Sequence, residues 1–132
     1  MIVLDTNIVL DAFVFNDPTT VALKQALDAG ALQWVATHAM RDELERVLGY
    51  PKIAARLHHP PRTAHPVLAR FDAQAKLVAV AIKAPFTCRD ADDQKFIDLA
   101  VAHQARLLSK DDAVLCMAKR LLTLGVLAQR AI

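Results

Sequence analysis

The chain opens MIVLDTNIVLDAF, Met1 to Phe13, and the fold turns on how this stretch is read. Met1 to Leu4 form a short, unbroken apolar run, the pattern of a strand buried on both faces. The run stops at a carboxylate, Asp5. Thr6 and Asn7 follow, and a second apolar stretch with helical spacing extends from Asn7 to about Val14. A buried strand that feeds straight into a helix is the first half of a βαβ unit. Its acid then stands at the carboxyl end of the strand, the edge where open parallel sheets bind ligands. Asp5 becomes informative if other acids arrive at that edge.

The remaining chain repeats the alternation. Pro18 can open a second helix, which Gly30 stops. LQWVAT (Leu32 to Thr37) is strand-like, and HAMRDELERVL (His38 to Leu48) is an amphipathic helix ended by Gly49 and Pro51. A short helix is expected over Lys52 to Leu57. HHPPR (His58 to Arg62) reads as a loop inside the domain, because two prolines remove donors and fix φ. Pro66 to about Leu77 is expected to be helical, with Val67, Phe71 and Ala75 on one face. VAVAIKA (Val78 to Ala84) fits either a third strand or a helix end. A helix over Asp90 to Ala105, a strand at RLLSK (Arg106 to Lys110), a helix over Asp112 to Leu124 and a terminal strand from Val126 complete the pattern. Strands alternating with helices imply a mostly parallel sheet.

The composition sets bounds. A length of 132 residues suits one domain, spanning 1–132, with a single core. No apolar run approaches the roughly 18–20 residues of a membrane span. The first residues lack the basic region and cleavage site of a secretory signal, so a cytoplasmic location is expected. Cys88 and Cys116 form no Cys-x-x-Cys and read as reduced thiols. The five histidines show no zinc spacing. A net charge of +2 permits a polyanionic partner without requiring one. Hydrophobic residues make up 55% of the chain, above the roughly 45–50% of soluble domains. The surplus implies a partner surface, most simply that of a homodimer or a protein ligand.

Four acids converge on this scheme. Asp5 ends the first strand, and Asp111 follows the strand Leu107 to Ser109, so both emerge at one sheet edge. Asp93 lies in the first turn of the preceding helix. At about 100° per residue it shares the face of Phe96 and Ala100, while Asp98 falls opposite as a solvated charge. On the helix Met40 to Leu48, the buried face is Met40, Leu44, Val47 and Leu48. Asp42, Glu45 and Arg46 point outward, and Glu43 sits at the apolar boundary. Like charges this close require neutralisation, and no set of lysines falls at the same strand ends. Hard, oxygen-ligated Mg²⁺ or Mn²⁺ fits best. Two such ions about 3.5–4 Å apart can activate water and stabilise the leaving oxygen of a phosphodiester. Thr6, Asn7 and Ser109 are polar neighbours able to orient the ligands.

Each acid also has a plainer role. Asp5, Asp90 and Asp111 fit helix caps, Asp92 and Asp93 favour a helix dipole, and Glu43 fits a surface. Asp11, Asp17, Asp28 and Asp72 show no convergence and read as surface or cap residues. Most lysines and arginines read as solvated. Arg89 and Lys110 flank site acids and are candidate phosphate contacts. Aromatic residues are too few for a base-stacking platform.

MIVLDTNIVLDAF, MRDELERVL (Met40 to Leu48) and CRDADDQKFIDLAVAHQARLLSKDDAVL (Cys88 to Leu115) together resemble the PIN domain family, closest to its VapC-like branch of toxins from toxin–antitoxin pairs. The resemblance covers nearly the whole chain and is weakest from Arg56 to Lys83. It implies a three-layer α/β/α sandwich with a sheet of about five mostly parallel strands. The implied activity is metal-dependent cleavage of RNA, with an antitoxin protein as partner. Asp5, Glu43, Asp93 and Asp111 match the family's acidic quartet, which would hold one or two Mg²⁺ or Mn²⁺ ions. Asn7 and Ser109 match its supporting polar positions, Ser109 standing where Thr is more usual. Asp90 and Asp112 are auxiliary ligand candidates.

Three rivals are weaker. A phosphoaspartate receiver needs an acceptor Asp after a mid-chain strand, and none is evident. A haloacid-dehalogenase-type phosphatase needs Asp-x-Asp, and Asn7 fills the second position, where a general acid is required. A non-catalytic PIN-fold module that binds RNA or protein keeps the same residues and differs only in turnover.

Overall fold

The computed structural model describes residues 1–57 and 65–132, with the side chain of His65 excepted. The expected HHPPR loop at 58–62 lies outside the described residues.

Strand β1 (Ile2–Leu4) runs directly into helix α1 (Thr6–Phe13). A 3₁₀ turn at Pro18–Thr20 leads into α2 (Val21–Asp28), with Asp17 capping the turn. Gly30 then reverses the chain at φ +71°, a conformation that suits a residue without Cβ. Strand β2 (Trp34–Ala36) precedes α3 (His38–Leu48), whose first turn is capped by the Thr37 hydroxyl. Helix α4 (Pro51–Ala54) is shorter than its expected span of Lys52 to Leu57, since none of its residues is buried to hold a longer one. Helix α5 (His65–Gln74) is followed by strand β3 (Ala75–Leu77), and a 3₁₀ turn at Ala91–Asp93 opens α6 (Gln94–His103). Strand β4 (Arg106–Leu108), helices α7 (Asp112–Leu115) and α8 (Ala118–Leu122), and strand β5 (Ala128–Gln129) complete the chain.

Two expectations need correction. The expected helix from Pro66 stops at Gln74, and Ala75–Leu77 is a strand paired in parallel with β2. Val78 to Ala84, open between strand and helix end in the sequence, falls in neither. The expected helix from Asp112 to Leu124 is two short helices, α7 and α8.

The five strands form one all-parallel sheet in the order β3-β2-β1-β4-β5. With its flanking helices it makes a PIN-like α/β sandwich. Every residue of β1 and β2 is buried, which explains their unbroken apolar sequences. Trp34 of β2 stacks with Phe13 of α1 at 6.2 Å and meets the edge of Phe71 of α5 at 5.0 Å. These contacts anchor α1 and α5 to the sheet. Helix α6 packs on β1 and β4. Among the described residues, no helix is long and apolar enough to cross a membrane.

The topology decides where a site can form. From β1 the chain builds outward through β2 and β3, then crosses to the other side of β1 to lay down β4 and β5. Strands β1 and β4 are therefore neighbours whose following segments leave in different directions. Such a switch point opens a crevice beyond the carboxyl ends of the two strands. Leu4 lies opposite Leu108, and the Asp5 N–H donates to the Leu108 carbonyl at 2.9 Å. Asp5 and Ser109, the next residue on each strand, therefore stand side by side in that crevice.

Candidate metal centre

The backbone explains why these acids are not merely caps. Asp5 occupies the N-cap position of α1, yet its side chain makes no cap bond. Its Oδ2 instead accepts the Ser109 hydroxyl at 2.7 Å. Ser109, fully buried, also accepts the Asp111 N–H at 3.0 Å, so one hydroxyl ties the two strand ends together. Asp93 likewise stands at an N-cap position without a cap bond and is buried. Asp90 and Asp111 do cap, through one oxygen each: Oδ1 of Asp90 accepts from Asp92 N–H at 3.0 Å and Oδ1 of Asp111 from Ala113 N–H at 2.9 Å. Each keeps its Oδ2 for another partner.

Asp90, Asp93 and Asp111 each present a carboxylate oxygen within 4.8 Å of the other two. Burial, then the hydrogen bond with Asp111, then the charge of Asp5 push Asp93 up to about 8. Asp111 moves down, because the Ala113 N–H and the hydrogen bond with Asp93 favour its ionised form. Burial and the neighbouring carboxyl thus favour a proton held between Asp93 and Asp111. Asp5 is raised mainly by burial, against the opposing hydrogen bond from Ser109 and the lesser pull of the nearby Asn7 N–H. The charges of Asp111 and Glu43 raise it further.

A divalent ion fits this arrangement. Asp93 Oδ2 is buried, and among the described residues no donor group reaches it. Its neighbour is another carboxyl, which can pair with it only through a shared proton or cation. The available ligands are all carboxylate oxygens, a set that suits hard ions such as Mg²⁺ and Mn²⁺.

The other expected residues are distributed as follows. Glu43, only 17% exposed at its side chain, lies near enough to Asp5 to perturb it. Its Oε2 accepts the Thr6 hydroxyl at 2.6 Å and its Oε1 accepts from Lys95 Nζ at 3.1 Å. Lys95 is the cation that sequence reading missed. It comes from the first turn of α6 and not from a strand end, and its proximity to Asp93 in the chain was the available signal. Asn7 accepts the Lys110 N–H through Oδ1 at 3.5 Å. Asp112 is exposed beside Arg130, at 3.8 Å, and the structure does not bring it into the cluster. Arg89 is exposed and helps hold Asp111 ionised.

Two acids set aside as surface residues are otherwise. Asp11 is buried and takes the Lys110 ammonium at 2.9 Å, so that lysine is already engaged. Asp98 is half-buried and not freely solvated. Its Oδ1 accepts from the Ala84 N–H and from Gln94 Nε2, both at 2.8 Å, and so fastens the segment after β3 to α6.

A parallel α/β sandwich with buried acids at its switch point is a build able to hold a metal ion at the sheet edge. The family model described as PIN domain matches residues 1–112, and the chain belongs to the PIN domain family. No curated protein and no solved structure matches it. PIN domains are generally nucleases and typically bind divalent metals, in keeping with a cluster able to hold an ion.

Proposed function

We propose that the chain, as one domain over 1–132, is a metal-dependent endoribonuclease acting as the toxin of a toxin–antitoxin pair in the cytoplasm. The observation that carries this reading is the buried, donorless oxygen of Asp93 beside Asp5 and Asp111 at the switch point. Asp5, Asp93 and Asp111 are assigned as ligands of Mg²⁺ or Mn²⁺, one ion or two, with Asp90 as auxiliary. The bound ion supplies charge neutralisation and water activation for phosphodiester hydrolysis.

The chain's own residues supply the positioning. Ser109 orients Asp5 and fixes the backbone at Asp111. Thr6 orients Glu43, which completes the acidic quartet. Arg89, exposed at the rim, is placed to meet a substrate phosphate. Lys110 joins it only if it leaves Asp11. In-line attack of water would leave a 5′-phosphate and a 3′-hydroxyl.

The test is Asp5→Asn. The amide keeps an oxygen to accept the Ser109 hydroxyl, so the fold is retained while a charged ligand is lost. RNA cleavage with Mn²⁺ should vanish; wild-type activity in the variant would sink the assignment. A folded wild type that binds RNA or a protein partner, yet cleaves nothing with either metal, would favour the non-catalytic module.

A further inference from the structure

We infer that Lys95 serves as a built-in cation at Glu43, leaving the acidic cluster room for one divalent ion and not two. The inference rests on the metal-site reading above and concerns how many ions that site takes.

Both oxygens of Glu43 are occupied. Thr6 Oγ1 donates to one at 2.6 Å and Lys95 Nζ to the other at 3.1 Å. The ammonium is itself held in place. It donates to the Asp92 carbonyl and lies 4.9 Å from the centre of the Phe96 ring. The ion pair is half-buried, with side-chain exposures of 31% for Lys95 and 17% for Glu43, so water screens it less than a surface pair. Neither Glu43 nor Asp5 is among the three carboxylates that come within 4.8 Å of one another, Asp90, Asp93 and Asp111, but Asp5 is tied to Asp111 through the Ser109 hydroxyl, whereas Glu43 is tied to Thr6 and Lys95.

The charges divide accordingly. Lys95 answers the charge of Glu43, and the aspartates are left for a single dication. A second dication on Glu43 would face the ammonium across the same carboxylate, where two cations repel at short range. It could settle there only by displacing Lys95 from its carbonyl and its ring. Lys95 is therefore a positioning residue. It fixes the Glu43 carboxylate toward Thr6 and holds the place a second ion would take.

The experiment is calorimetric titration of Mn²⁺ into metal-free protein, with the electron paramagnetic resonance of the bound ion read alongside. Wild type, Lys95→Met and Lys95→Arg are compared. Wild type and Lys95→Arg should each bind one ion per chain, and Lys95→Met should bind two, its resonance broadened by the second ion. Two ions in the wild type, or one in Lys95→Met, would overturn the inference and leave the metal site standing. No ion in the wild type would overturn both. Lys95 is a partly exposed helix residue, so Met should preserve the fold; Lys95→Gln is a second neutral variant held to the same count.

Discussion

Asp93→Asn tests the electrostatics of the site without any substrate. In the metal-free chain the Asp93 carboxyl rises from 3.8 to about 8. Between those values the folded chain keeps a proton that the unfolded chain has released. Stability therefore falls as pH rises through this window and levels off above it. At about 1.4 kcal/mol per unit, the shift bounds the loss near 5–6 kcal/mol. Asp111 moves the other way, held ionised mainly by the Ala113 N–H and then by the hydrogen bond with Asp93. The stability gained there is complete by about pH 4 and offsets none of the loss above it; discounted for the solvent that reaches the site, a loss of about 2–4 kcal/mol between pH 4 and pH 8 is expected. The amide of Asn cannot ionise, so the variant escapes this term. The assay is urea unfolding with chelator at pH 5, 7 and 8.5. Wild type and variant should agree within about 1 kcal/mol at pH 5, and the variant should be the more stable at pH 8.5. Groups remote from Asp93 contribute equally to both chains and cancel in the difference. Mn²⁺ at about 100 times its Kd should restore ~2.7 kcal/mol to the wild type and nothing to the variant. Parallel pH slopes in the two chains would refute the reasoning.

Two further outcomes are expected. Ser109→Ala removes a buried hydroxyl that serves Asp5 and Asp111 at once. It should cost about 1–3 kcal/mol in urea unfolding, with Ser109→Thr keeping both bonds; a cost below ~0.5 kcal/mol would mean the hydroxyl is not needed there. Val80 and Ile82 are 81% and 87% exposed in the segment after edge strand β3, and the self-association expected from the apolar composition would use this face. Val80→Asp with Ile82→Asp should turn a sedimenting dimer into a monomer while changing chain stability by less than ~1 kcal/mol. A wild type that sediments as a monomer at tens of micromolar would remove the reading.

What could be read from the sequence follows the range of the forces involved. Asp5 and Asp111 were placed correctly at the sheet edge because a buried parallel strand leaves a local signature, an apolar run that must end where the crevice begins. Asp93 and Glu43 were oriented by helical period, again a local property, and their exposures agree with it. Strand β3 was missed because α5 passes into it with no Gly or Pro between Gln74 and Ala75. Only pairing with β2 makes Ala75–Leu77 a strand, and no residue in that run announces its partner. The paired charges were missed for the same reason. Asp11 is 99 residues from Lys110, and Glu43 is 52 from Lys95. A long flexible cation chooses its carboxylate only once the fold has brought the two segments together. The sequence thus carries the positions of the acids, while their neutralisation is a property of the assembled fold. The number of ions depends on that neutralisation, which is why it is Lys95, and not the acids alone, that bears on the count.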